Sequence, residues 1–502
     1  MISKIIKYAA AACLFGVFLA LAAPKPSFAA TSLEFGARGD AVVSLQQALI
    51  KQGLLSAGLA TGYFGGQTLA AVEKFQCNKN IVCTAAIEGY GIYGPATQAA
   101  MQIALAPTQP ATITGMYSES SMTPAATGAF ETSGWLPYWR ISSSTLDVTP
   151  HLSQLTSAMP FGYTMTSDGK LQDTAQIDAG TWDAFIAAAK AAHTRVVPTV
   201  MWGDGAAIGA VLSDSAKRTA LEDEIVGAVK KHDFDGIDID FEAKQASTIN
   251  YFSTFLQELY AKMGKKWVYC TVESRMPLED RYLTGTTIPD DATEYANDYI
   301  AMNKYCDRVE VMAYDQGTVD HRLNPVRSAP YAPVADPGWV EDVVRLAAQT
   351  ISRNKLIIGI PTYGYEYSVI PQGNGTFKYT RLWPFNPKYA TDLAAQLGIV
   401  PQRTSASEIG FTYDPNKVAT QKPDDTDEVE TQQQSTPTTS VTLNLGSQLG
   451  GGNTPFNYVT WDNAQAIQEK INLAKELHVR GVAFFSLNGG EDQGMWGLLP
   501  SR

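Results

Sequence analysis

Eight short apolar runs, several of them rich in Val and Ile, recur beyond residue 130, at 134–139, 158–163, 196–202, 236–241, 267–272, 309–314, 356–361 and 481–487. Amphipathic segments such as 182–192, 221–230 and 339–352 separate several of them. Apolar strands that alternate with helical segments imply a parallel sheet with helical crossovers covering it. Eight such strands over about 370 residues imply an α/β chain folded as a (β/α)8 TIM barrel, with an open doubly wound sheet as the competing arrangement. The alternation breaks over 366–455, read as an insertion between the last two strands. It holds the polar stretch 422–436, with Asp424, Asp425, Asp427, Glu428 and Glu430, and the glycine-rich stretch 446–452. Without the ligand spacing of a calcium loop, the acidic stretch reads as solvated loop rather than a cation site.

The fourth run carries the chemistry: Asp233-Phe234-Asp235-Gly236-Ile237-Asp238-Ile239-Asp240-Phe241-Glu242. Strand side chains alternate, so Asp238, Asp240 and Glu242 share one face while Ile237, Ile239 and Phe241 share the other. In a barrel the apolar set packs under the helices and the acids point inward, with Glu242 nearest the carboxyl end, where active sites are built. Carboxyls this crowded cannot all ionise freely, and raised pKa values or shared protons are expected, as a general acid requires. The alternatives are a solvated edge strand and a magnesium or calcium site made from the same acids.

Ahead of the barrel the composition changes three times. Residues 1–30 place Lys4 and Lys7 before an apolar run and then Ser27-Phe28-Ala29-Ala30, the order of a secretory signal cleaved after Ala29 or Ala30. An uncleaved anchor and lipidation at Cys13 are the other readings. In 31–103, Val42, Leu45 and Leu49 recur at helical spacing between Asp40, which can cap, and Gly53, which can terminate. Phe64-Gly65-Gly66-Gln67-Thr68 recurs 29 residues later as Tyr93-Gly94-Pro95-Ala96-Thr97, each copy an aromatic-Gly turn opening a helix. Residues 104–131, rich in Ala, Thr, Pro, Ser and Gly, read as a flexible linker. Cys77 and Cys83 imply a small-loop disulfide in an exported chain. Cys270 and Cys306, in or beside apolar runs, read as buried free thiols rather than a bridge.

The chain carries 38 Lys+Arg against 50 Asp+Glu, a net charge of −12, which argues against nucleic acid or anionic membrane as a partner through a broad basic surface. A neutral or zwitterionic sugar polymer remains open. Charged residues make 18% and apolar residues 45%, which excludes a disordered polyelectrolyte or a coiled coil. No second long apolar stretch follows the first, so the exported protein is expected to be soluble.

Two resemblances rest on these residues. Arg38-Gly39-Asp40 with Val42, Leu45-Gln46 with Leu49, Gly62-Tyr63-Phe64-Gly65, Ala71-Val72 with Phe75-Gln76, and Gly94-Pro95-Ala96-Thr97 resemble the small helical peptidoglycan-binding domain of bacterial cell-wall hydrolases. Asp235-x-x-Asp238-x-Asp240-x-Glu242 resembles the DxxDxDxE signature of family 18 glycoside hydrolases, the chitinase-like barrels, and lies on the fourth strand as that family requires. Val311-Met312-Ala313-Tyr314-Asp315 resembles the family's sixth-strand motif, 356–365 with Gly359, Pro361 and Tyr363 its seventh, and 458–462 with 481–487 its closing segment.

The family resemblance implies that Glu242 protonates the glycosidic oxygen. It implies that Asp240 orients the substrate's own acetamido group as nucleophile, the substrate-assisted route. Asp238 would share a proton with Asp240, Tyr314 would bond the acetamido oxygen, Asp315 would hold the sugar, and Asp235 would be structural. Met312, Trp135, Tyr138, Tyr363 and Phe485 are the further candidates for substrate contact; Trp139, Trp202, Tyr365 and Trp496 also lie near strand ends. The chain departs from the family at 198–203, which lacks a Ser-x-Gly-Gly run, and at Phe485, where a tryptophan is usual. Both departures occur in cell-wall and spore-cortex members.

Five scattered histidines show no metal spacing, so neither metal nor cofactor is expected. The expectation is a secreted or wall-associated monomeric glycosidase of endo-β-N-acetylglucosaminidase or chitinase type. Its substrate would be a polysaccharide, with peptidoglycan favoured over chitin, cut at β-1,4 bonds next to N-acetylglucosamine. The rival is a non-catalytic glycan-binding protein on the same barrel.

Overall fold

A buried glutamine explains each copy of the 29-residue repeat. In the computed structural model, Gln46 lies on α1 (Asp40–Lys51) and Gln76 on α2 (Gly66–Asn78). Gln46 Nε2 donates to the Tyr63 carbonyl at 2.8 Å and to Thr68 Oγ1 at 2.9 Å, while its Oε1 accepts the Gly62 N–H at 2.9 Å. Gln76 repeats the pattern on the Gly89 and Ile92 carbonyls, Thr97 Oγ1 and the Gly91 N–H, at 2.7–2.9 Å. Around them Val42, Leu45, Leu49, Phe64, Val72 and Phe75 form the core, and Cys77 is bonded to Cys83. Gly39 at φ 110, rather than Asp40, occupies the N-cap of α1. Replacing Gln76 with Leu would strand the Gly89 carbonyl and the Gly91 N–H and leave Thr97 Oγ1 and the Ile92 carbonyl only their mutual 3.3 Å bond, costing about 2–3 kcal/mol. In the full chain the amides of α2 should then exchange with deuterium roughly 30-fold faster or more, and unchanged protection would show that the turn does not depend on Gln76.

The structure describes residues 32–101 and 118–501, apart from 57, 58, 80, 85, 86, 88, 95, 96, 99, 284, 373–375, 419–439 and 443–453. The signal-like segment 1–30 and the stretches 422–436 and 446–452 therefore lie outside the described residues. The chain divides into two compact units, Met1–Gln109 and Pro110–Arg502.

In the second unit the apolar runs become β1 (Glu131–Leu136), β2 (Ser157–Met165), β3 (Thr199–Trp202), β4 (Gly236–Phe241), β5 (Trp267–Glu273), β6 (Arg308–Met312) and β7 (Leu356–Pro361). After an insertion comes β14 (Gly481–Phe485). Neighbours pair in parallel, and β1 pairs with both β2 and β14, so the sheet closes as a (β/α)8 barrel. Outward residues of β4 meet the helices: the Phe241 ring lies 5.4–6.0 Å from those of Trp202, Phe252 and Phe255. Inside, Trp135, Met159, Phe161, Val197, Tyr269, Ile357 and Ala483 fill the barrel. Its amino-terminal end is closed by Arg308, which grips Glu131 at 2.8 and 2.5 Å, and by Arg195 and Arg308 packed on Trp267 at 4.0 and 4.9 Å.

Several expectations need correction. The linker reading fails for 118–130, which lies tied to the barrel. The Thr123 N–H donates to the Ala348 carbonyl at 2.8 Å and the Ala126 N–H to the His478 carbonyl at 2.8 Å, while Arg353 binds the Thr123 carbonyl and Glu119, both at 2.6 Å. Distant partners satisfy a segment that has no apolar period of its own. The insertion is an antiparallel sheet of β8 (Gly364–Pro371), β9 (Thr376–Phe385), β10 (Gln402–Arg403), β11 (Ile409–Tyr413), β12 (Ser440–Thr442) and β13 (Phe456–Trp461), in the order β10-β11-β13-β8-β9-β12. Residues 456–461 thus belong to the insertion rather than to the barrel's closing strand. Cys270 and Cys306 are bonded, not free. Residues 306 and 307 return beside β5, with the Asp307 N–H on the Val268 carbonyl, which brings the two Cα atoms to 6.0 Å. No helix among the described residues is long and apolar enough to cross a membrane.

Candidate active site

The period-two pattern of β4 aims Asp238 and Asp240 into the barrel, and Glu242 follows at its carboxyl end. Asp238 is fully buried. It accepts hydrogen bonds from Trp135 Nε1 at 3.2 Å, Thr199 Oγ1 at 2.8 Å and Thr271 Oγ1 at 2.9 Å. Burial outweighs those bonds and pushes its carboxyl up. Thr271 Oγ1 also lies 3.5 Å from Oε2 of Glu310, a second inward carboxyl that burial drives well above the usual range. Asp240 is 3% exposed and its Oδ1 has no hydrogen-bond partner. Burial, then the charges of Glu242, Asp238 and Glu273, hold its carboxyl well above the ordinary value.

Glu242 is half-buried. Burial first, then Glu273 and Asp315, push it up to about 7, against the pull of Lys244 and a hydrogen bond with Asp240. Tyr314, just beyond β6, faces the same acids: burial and the charges of Asp240, Asp315 and Glu242 keep its phenol protonated. A Cβ at Gly359 would lie 2.8 Å from Tyr314 Cε1, so β7 passes the tyrosine only by lacking a side chain there. Asp315 takes a left-handed φ of 62° and accepts the hydroxyls of Tyr363 and Tyr365, each at 2.5 Å.

Phe485 forms the centre of an aromatic floor. Its ring lies 5.7 Å from Tyr314, stacked at 20°, and 5.9–6.2 Å from Trp135, Phe161 and Tyr363. Trp135 is 1% exposed with its indole N–H committed to Asp238, so it lies within the barrel rather than on an open face. Met312, half-buried, ends β6 in register with Glu273. Tyr138 packs edge-on against Trp139 at 4.9 Å. Trp202 faces the helices, and Trp496 stacks on His151 at 4.2 Å, so neither joins the row. Asp235 stands apart, accepting the Val196 N–H at 2.8 Å.

Sequence reasoning missed Glu310, Thr199, Thr271, Lys244 and Glu273. Glu310 carried a usable signal, a lone acid between Val309 and Val311 at inward parity; the two threonines carried none.

Comparison with known proteins places the barrel and the small domain in families. The family model for glycosyl hydrolases family 18 matches residues 132–490, and that for a peptidoglycan binding domain matches 38–101. The uncharacterized glycosylase YvbX of Bacillus subtilis is 24% identical over 58% of this chain and 68% of its own length. The cortical fragment-lytic enzyme of the same organism is 23% identical over 58% of this chain; the match spans only 55% of that enzyme. The crystal structure of a class V chitinase from Pseudomonas fluorescens superposes with a TM-score of 0.55 at 18% identity, covering 74% of this chain and 99% of that one.

Proposed function

We propose that this chain, which belongs to family 18 of the glycosyl hydrolases, is an extracytoplasmic glycosidase that cuts peptidoglycan at β-1,4 bonds beside N-acetylglucosamine. One observation carries the reading: an inward row of carboxyls ends in Glu242, raised to about 7, whose charge reaches Tyr314, and the Tyr314 ring stacks on Phe485. A carboxyl at that value is half-protonated at neutral pH and can give its proton to the leaving glycosidic oxygen. As the C–O bond breaks, the substrate's acetamido oxygen attacks the anomeric carbon in place of an enzyme nucleophile. Asp240 receives the acetamido N–H, and Tyr314 donates to the acetamido oxygen. Water, deprotonated by Glu242, then opens the cyclic intermediate with retention.

Peptidoglycan is the polymer favoured by the binding-domain match at 38–101 and by the likeness to a cortical fragment-lytic enzyme. A weak wall contact by the small domain would raise the local concentration of glycan strands around the barrel. Digests of purified peptidoglycan and of chitin oligomers, read by mass spectrometry, test this. Fragments with N-acetylglucosamine at the new reducing end are expected, with inhibition by an N-acetylglucosamine thiazoline that mimics the cyclic intermediate. Muramic acid reducing ends, or indifference to saturating thiazoline, would count against it.

A further inference from the structure

The backbone on both sides of Glu242 is held by two charged side chains outside the acidic row. Lys244, its side chain 1% exposed, turns back so that Nζ donates to the carbonyl of Phe241, the residue before Glu242. The N–H of Ala243, the residue after, donates to Glu273 Oε1 at 2.9 Å. The two holders face each other, with Lys244 Nζ 3.9 Å from Glu273 Oε2. That same oxygen accepts Asn297 Nδ2 at 2.8 Å, and Asn297 is fixed in turn by Arg275, which donates to its carbonyl at 2.8 Å and lies over the rings of Tyr295 and Tyr299.

The turn they hold is one the chain would not choose. Ala243 takes a left-handed φ of 54°, disfavoured for a residue with a Cβ. Its carbonyl presses so closely on the helix Gly205–Ser213 that a Cβ at Gly205 would lie 2.0 Å away. A buried ammonium also needs a carboxylate. Lys244 faces Asp240, Glu242 and Glu273, so without Glu273 its partners would be the two acids of the row.

We propose that Lys244 and Glu273 act as a positioning pair that sets the direction of Glu242, Lys244 gripping the carbonyl before it and Glu273 the amide after it. The inference rests on Glu242 being the acid. Glu242 is faced by Asp240 from β4, Glu273 from β5, Tyr314 and Asp315 beyond β6 and Lys244 on its own loop, so each member of the pair bears on its titration with opposite sign.

The test compares kcat, KM and the pH dependence of kcat on a soluble N-acetylglucosamine oligomer, with near-UV circular dichroism as the check on folding. Lys244→Met should lower kcat by roughly 10- to 100-fold with KM little changed, as a misdirected acid does, and move the alkaline limb to higher pH. Glu273→Gln keeps an acceptor for the Ala243 N–H but loses the charge, so its limb should move to lower pH with a smaller loss of kcat. In the double variant the limb should return toward the wild-type position while kcat stays low. Folded single variants with wild-type kcat and unmoved limbs would overturn the pairing. Should Lys244→Met fail to fold, isosteric Glu273→Gln, at a side chain 40% exposed, decides alone: an unmoved limb overturns the proposal. Wild-type activity in Glu242→Gln would instead sink the parent reading, whereas an inactive Glu242→Gln beside unaffected pair variants sinks only this one.

Discussion

Replacing Glu242 with Gln should lower kcat on a soluble N-acetylglucosamine oligomer by roughly 10²- to 10⁴-fold, the range a positioned general acid supplies. The amide fills the same volume and can still donate a hydrogen bond, but it cannot deliver a proton to a leaving oxygen. Binding should survive, because the aromatic floor around Phe485 and the Asp315–Tyr363–Tyr365 cluster are untouched. The substitution also removes one of the charges that raise Asp240, so Asp240 should ionise more readily in the variant. Initial rates and calorimetric titration of the same oligomer separate the two effects. Loss of turnover with retained affinity identifies an interaction made in the transition state. A rate within tenfold of wild type would remove Glu242 from the chemistry.

The barrel was legible because its requirements are local. A strand buried on both faces must be apolar throughout, and β4 could carry acids only at inward positions, so Ile237-Asp238-Ile239-Asp240 declared both its element and its orientation. What stayed hidden depended on partners distant in the chain. The Cys270–Cys306 bond is made by the return of the chain beside β5, which no spacing rule contains. The strap at 118–130 looks like linker because groups distant in the chain, the carbonyls of Ala348 and His478 and the Arg353 side chain, take up backbone groups of Thr123 and Ala126. Residues 458–462 resemble the family's closing segment, yet 456–461 pair antiparallel with β8 and β11 in the insertion. Within the site, Lys244 lies just past the end of β4, where the sequence assigns it no partner. Only the fold shows that its ammonium turns inward to Phe241 and Glu273.

The pH dependence of kcat/KM should show an alkaline limb near pH 7 with activity falling about tenfold per unit above it. The sign follows from the role: the reacting form is the protonated acid, so activity is present below the Glu242 pKa and lost as pH rises through it. An ordinary glutamate would be protonated in only about 0.3% of molecules at pH 7. Burial of Glu242, followed by repulsion from Glu273 and Asp315, raises it from 4.5 to about 7, which makes about half of the molecules competent there. Asp240 and Asp238 also rise on burial, so the limb belongs to the acidic row as a coupled set rather than to one residue. Initial rates on a soluble oligomer from pH 4 to 9, with tryptophan fluorescence to confirm that the protein stays folded, measure it. A limb near pH 5 would mean that Glu242 titrates as an exposed carboxyl, and that the barrel does not shield its proton from water.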